Sequence, residues 1–183
     1  MSQVPNLHWQ ALLRENLPNK PIILAIEGYA VAGGTEILQG TDIRVGAEDA
    51  KFGVTEVIRG LYPMAGSAFR LRRQIPYCRA AEILLLGQHI PAKEAMEWGL
   101  INRVVPKGKA LEEALKIARQ MCENGPISIR AITRTLREID ASVPYVEALQ
   151  KQDSLGWPVF ASEDSKEGMK AFKEKRKPVY KNK

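Results

Sequence analysis

IILAIEGYAVAGGTEI, residues 22–37, is the stretch on which the fold turns. Ile22-Ile23-Leu24-Ala25-Ile26 is a short apolar run of the kind that suits a strand buried on both faces. Gly28 punctuates it, and Gly33-Gly34 lead into a helix start with Thr35 and Glu36 in the first turn. A strand that passes through glycines into a helix leaves free amide N–H groups aimed at one spot, where the positive end of the helix dipole also lies. Such a spot suits an anion, or an oxygen that becomes anionic during a reaction. Glu36 beside it is out of place for simple anion binding, so the remaining residues must account for it.

Working outward, the 183 residues fit a domain with a real core, and 45% hydrophobic content with 26% charged residues describes a globular chain. No apolar stretch approaches the ~18–20 residues that span a bilayer. The start, MSQVPNLHWQALLREN, lacks the apolar core of a signal peptide. Cys78 and Cys122 stand far apart in helix-like patterns, which favours reduced thiols and a cytoplasmic location over a disulfide framework. The formal charge of +6 is concentrated: residues 166–183 carry eight Lys/Arg against Glu167 and Glu174. A basic tail is most often a solvated end; the sharper reading is contact with phosphates, on a nucleic acid or on a cofactor.

Leu7, Trp9, Leu12 and Leu13 suggest a short helix, broken by Pro18 and Pro21 before the first strand. That strand is central in character yet has nothing before it to pair with. Residues 42–46 read as a second strand and 50–53 as a short extended piece running toward Glu56. Residues 60–66 form a loop, with Ser67 as the expected N-cap of a helix over 68–74. Helical patterns then dominate: 79–86 stopping at Gly87, and Pro91 opening a helix that Gly99 closes. A short strand over 100–105 follows, then amphipathic faces through Leu111–Cys122 and Ile129–Ile139 and a last helix capped by Ser162. Strands early and helices late give a mixed α/β (α+β) chain, with an expected division into a 1–110 core and a 111–183 helical region.

No phosphate loop, dinucleotide loop or nucleophile elbow occurs. His8 and His89 have no partners at metal-ligand spacing, so no metal is expected. What remains is carboxylate chemistry beside an oxyanion site. Glu36, taken alone, complements a helix dipole; Glu56, taken alone, reads as a surface residue. Two carboxylates facing one polarised carbonyl can instead hold a water, take one proton from it and deliver another to the carbon α to that carbonyl.

The run GYAVAGGTEI, followed by TDIRVGAEDAKFGVTEV, GLYP and GSAFRL, resembles the enoyl-CoA hydratase/isomerase (crotonase) superfamily. LLLGQHIPAKEAMEWGLINRVVP and the terminal SEDSKEGMKAFKEKRKPVYK resemble later motifs of the same family. The resemblance implies a spiral of ββα units with C-terminal helices that build trimers, often paired as hexamers. It implies hydration of a trans-2-enoyl-CoA in fatty-acid β-oxidation or related metabolism, with coenzyme A as part of the substrate and no separate cofactor. Gly33 would supply an oxyanion amide, Glu36 the base that activates water, and Glu56 the acid that protonates Cα. Phe172 and Lys175 would contact the coenzyme A nucleotide, which gives the basic tail a specific reading and argues against nucleic acid.

Two departures stand out. Met64 replaces a glycine common in the family and is expected to reshape the acyl pocket near Glu56. The family's first strands, and the A-x-x-x-G-x-D-L loop that supplies the other oxyanion amide, have no counterpart in residues 1–20. The expectation is therefore an N-terminally truncated hydratase-type chain. The alternatives are a catalytically impaired remnant that binds CoA or joins oligomers, and an isomerase or hydratase for bulky acyl groups.

Overall fold

The computed structural model describes residues 7–14 and 17–183. The chain divides into two compact units. One runs through Pro18 and resumes from Ile22 to Ile117; the other takes Asn19–Pro21 and Ala118–Lys183.

The first unit opens with α1 (Leu7–Ala11), followed by β1 (Ile23–Ile26), β2 (Tyr29–Val31) and α2 (Gly33–Leu38). Next come β3 (Ile43–Ala47), β4 (Lys51–Gly53) and a 3-10 turn over Glu56–Arg59. Helices α3 (Ser67–Gln74) and α4 (Tyr77–Leu86) precede β5 (Ile90–Pro91), α5 (Ala92–Glu97), β6 (Arg103–Val105) and α6 (Ala110–Cys122). The strands form two sheets, ordered β1-β3-β6 and β2-β4-β5. The chain crosses from one sheet to the other between β1 and β2, and again between β3 and β4. Both successor pairs, β1 with β3 and β2 with β4, are parallel. One ββα turn therefore stacks on the next as a spiral, and β5 closes the second sheet antiparallel to β4.

The core of this unit gathers Leu38, Phe52, Val54, Leu71, Ile83 and Leu100, all but removed from solvent. A second cluster, Val45 with Ala110, Ala114 and Ile117, packs α6 on β3. Glu27 fixes the start of α6 from far away in sequence: its carboxylate accepts the N–H groups of Gly108 and Ala110, both at 2.7 Å. Gly87 ends α4 at φ 63°, the left-handed stop read from the sequence.

The second unit holds α7 (Pro126–Glu138), α8 (Tyr145–Phe160) and α9 (Glu163–Lys173), with α8 packed on both of its neighbours. Ser162 caps α9 as expected, its hydroxyl accepting the Ser165 N–H at 3.0 Å. The segment after α9 folds back on it. Asp164 accepts the N–H groups of Lys181 and Asn182, and Glu167 pairs with Arg176 and accepts the Val179 N–H.

Two expectations are corrected, and two elements are added that the sequence reading did not include. β1 is an edge strand among the described residues and only Ile26 of its four residues is buried, because β3 pairs with one side alone. Tyr29–Val31, between Gly28 and α2, is a strand the sequence reading did not include, stabilised by pairing with β4. Ser67 is not a cap; Gly66 is, at φ 115°, and Ser67 is the first helical residue. Helix α8 was not expected because Gly156 and Pro158 interrupt its pattern, yet the helix runs through both. Cys78 and Cys122 are free and exposed.

Candidate active site

The geometry begins at Ala32, which adopts φ 50°, ψ −122°, a conformation that a side chain disfavours. That torsion orients the Ala32–Gly33 peptide and hence the Gly33 N–H. Gly33 is the first residue of α2, where helix N–H groups lack intrahelical acceptors. Thr35 locks the arrangement. Its buried hydroxyl lies 2.5 Å from the Ala30 carbonyl and 3.0 Å from that of Gly53, and accepts the Gly53 N–H at 3.0 Å. The strand end before α2 is thereby tied to the strand end before Glu56. Gly53 permits the approach: a Cβ there would stand 2.7 Å from the Gln88 carbonyl oxygen.

Glu36 is 4% exposed, unusual for a carboxylate without compensation. Its Oε1 accepts the Ser67 N–H at 3.2 Å, from the start of α3. The Ser67 hydroxyl accepts from Gln39 Nε2 at 2.7 Å, and the same amide nitrogen donates to the Thr35 carbonyl at 3.1 Å. Glu56 opens the 3-10 turn and is half-buried. Burial pushes its carboxyl upward, its own backbone N–H offsets part of this, and the charge of Glu36 pushes it up further. Its Oε2 is buried with no hydrogen-bond partner among the described residues. The two carboxylates thus sense each other, in surroundings that favour the protonated form of Glu56.

Met64 lies in the turn before α3 with its side chain 56% exposed, and its carbonyl accepts from Arg14 at 3.2 Å. Phe172, 81% exposed on α9, and Lys175, exposed at φ 54° just beyond it, belong to the other unit. No cluster of three or more potential metal ligands occurs among the described residues. Nor is any helix long and apolar enough to cross a membrane. Sequence reasoning missed Thr35 as a clamp and Ser67 as the amide donor to Glu36. Ser67 carried a signal, since a serine after a loop glycine marks a helix start.

The sequence model of the family described as enoyl-CoA hydratase/isomerase matches residues 3–183. The chain belongs to the enoyl-CoA hydratase/isomerase family. It is 54% identical over 172 residues to the enoyl-CoA hydratase EchA19 of Mycobacterium tuberculosis, covering 94% of this chain and 64% of that relative. It is 36% identical over 163 residues to the 2,3-dehydroadipyl-CoA hydratase of Escherichia coli, covering 89% of this chain and 64% of that one. The chain thus spans just under two thirds of the length of these curated relatives.

Solved structures agree on the architecture. An enoyl-CoA hydratase from Mycobacterium tuberculosis superposes with a TM-score of 0.89 at 40% identity, over 93% of this chain and 67% of that one. An enoyl-CoA hydratase from Bacillus anthracis superposes with a TM-score of 0.85 at 36% identity, over 100% of this chain and 73% of that one. The mixed α/β crotonase fold expected from the sequence is the fold observed.

Proposed function

We propose that this chain acts in the syn addition of water to a trans-2-enoyl-CoA, giving a 3-hydroxyacyl-CoA. The observation that carries the reading is the carboxylate pair. Glu36 is buried and held by the Ser67 amide, while Glu56 sits where burial and a like charge favour its protonated form. Glu36 takes a proton from water as the oxygen bonds to Cβ. The thioester oxygen gains enolate character and is met by the Gly33 N–H. Glu56 delivers its proton to Cα, and the pair is reset when the next water exchanges a proton between them. The addition is redox-neutral, and coenzyme A enters as part of the substrate.

The finer parts of the reading have their own support. Phe172 offers an exposed ring and Lys175 an exposed cation at the end of α9, suited to an adenine and a phosphate. Met64, on the loop that follows the 3-10 turn carrying Glu56, would border the acyl chain. Helix α8 buries none of its residues and exposes Tyr145, Val146, Leu149, Trp157 and Phe160, which supports a homotrimer or hexamer. A cytoplasmic setting in acyl-CoA metabolism is part of the same reading, supported by Cys78 and Cys122 being free.

The test is to measure binding of coenzyme A thioesters and turnover of crotonyl-CoA by the same purified chain. Binding with turnover is expected. A folded chain that binds and gives no turnover overturns the catalytic reading in favour of a CoA-binding or oligomer-interaction role.

A further inference from the structure

We propose that Gln39 is a positioning residue that holds the start of α3 in place against Glu36, and so fixes the carboxylate that takes a proton from water. Gln39 directly follows α2 and lies three positions beyond Glu36, on the same helical face. Both side chains are buried. Gln39 Nε2 donates to the Thr35 carbonyl at 3.1 Å and to the Ser67 hydroxyl at 2.7 Å. A carbonyl can only accept, so the first of these bonds fixes which end of the side-chain amide is the nitrogen. The Ser67 N–H meanwhile goes to Glu36 at 3.2 Å. The first residue of α3 is therefore held twice, by its hydroxyl and by its N–H, from two side chains about one helical turn apart. The last residue of α3 meets Gln39 as well. Gln74 Nε2 donates to the Gln39 carbonyl at 2.9 Å, and Gln74 Oε1 accepts from the buried Arg44 guanidinium at 2.9 Å.

A carboxylate that acts as a base must bring its oxygen within about 2.6–3.2 Å of the group whose proton it removes. The Glu36 side chain has several rotatable bonds, and the Ser67 N–H selects one arrangement of them. It can do so only where α3 starts in a fixed place, and Gln39 sets that place from both ends of the helix. A second observation points the same way. Gln39 Oε1 is buried with no hydrogen-bond partner among the described residues. Such an orphaned acceptor costs stability, and methionine, of similar volume, would fill the space without it. The N–H groups of the side chain are the part in use, and they explain a glutamine here. The competing account is purely structural, with Gln39 merely stabilising the packing of α3 on α2. The inference rests on the hydratase reading only for its catalytic consequence.

The deciding experiment compares Q39M with the parent 183-residue chain in two measurements, amide hydrogen exchange and steady-state hydration of crotonyl-CoA. Protection of the Ser67 amide is expected to fall about tenfold in Q39M, the scale of one weakened hydrogen bond. Protection of the Ile75 amide, which donates to the Leu71 carbonyl at 2.9 Å at the far end of α3, is expected to hold. kcat is expected to fall about ten- to a hundredfold with KM unchanged, as for a displaced catalytic group. An equal loss of protection at both amides, or none at Ser67, overturns the proposal in favour of plain stabilisation. A kcat that holds in an active chain overturns it too. If Q39M does not fold, S67A, which removes only the hydroxyl that Gln39 holds, is read at the amide of position 67 by the same criteria. A parent chain that hydrates no enoyl-CoA loses the hydratase reading, whereas a selective loss of protection at Ser67 in Q39M still keeps this role for Gln39.

Discussion

The carboxylate of Glu36 and the backbone N–H of Ser67 form a hydrogen bond of 3.2 Å across 31 residues of chain. The bond joins the start of α3 to the middle of α2. Between the two helices runs the segment that carries Glu56, so one contact pins both ends of the loop on which the second carboxylate rides.

The Ser67 hydroxyl performs a separate task, accepting from Gln39 Nε2, which also donates to the Thr35 carbonyl. S67A leaves the backbone N–H to Glu36 intact and removes one of two partners of that amide. A stability loss of about 1 kcal/mol is expected from urea unfolding. A much larger loss would mean the hydroxyl carries more than this one hydrogen bond.

Thr35 is the stronger structural dependency. T35V preserves shape but leaves the buried Gly53 N–H without the hydroxyl it donates to. Losses of about 1–3 kcal/mol are typical for such an orphaned group. T35S, which keeps the hydroxyl, should recover most of that loss in the same unfolding measurement.

How far the sequence carried these conclusions depends on how local the cause was. The stop at Gly87 and the Ser162 cap were legible because one residue type sets each locally. The Gly33–Glu36 helix start was legible for the same reason. Strand β2 was not, since three residues are too short a pattern to mark a strand before β4 pairs with them. Helix α8 was hidden by Gly156 and Pro158, whose helix-breaking tendency is overridden by packing against α7 and α9. At the site, both glutamates were identifiable as a pair only through family resemblance. The Ser67 amide that Glu36 accepts lies 31 positions beyond it in sequence, and no spacing rule links the two.

The raised carboxyl of Glu56 makes a pH-dependent prediction about stability. A group whose folded value lies above its unfolded one favours the fold fully below the unfolded value, 4.5 for Glu, and loses that contribution as pH rises through the folded value. Ionising Glu56 therefore weighs against the fold, and the cost grows as pH rises from 4.5 through the folded value. E56Q should raise the unfolding midpoint at pH 7, and its advantage should vanish below pH 4.5. A stability gain that persists unchanged in acid would contradict the burial account of Glu56.

Glu167 has the opposite sign. Arg176 and the Val179 N–H hold its carboxyl down at about 2. Its contribution is present above the unfolded value of 4.5 and is lost as pH falls from there through about 2. Hydrogen exchange at the Val179 amide should quicken over that acid window and not between pH 5 and 8. E167Q should show the quickened exchange already at neutral pH.

The most direct test of the central claim is the rate of crotonyl-CoA hydration at neutral pH by the parent chain, E36Q and E56Q, each first shown to be folded. The paired-carboxylate account predicts measurable hydration by the parent and a loss of about 10²–10⁴-fold in each variant, the usual worth of a positioned acid or base. Hydration that survives undiminished in either variant would contradict it.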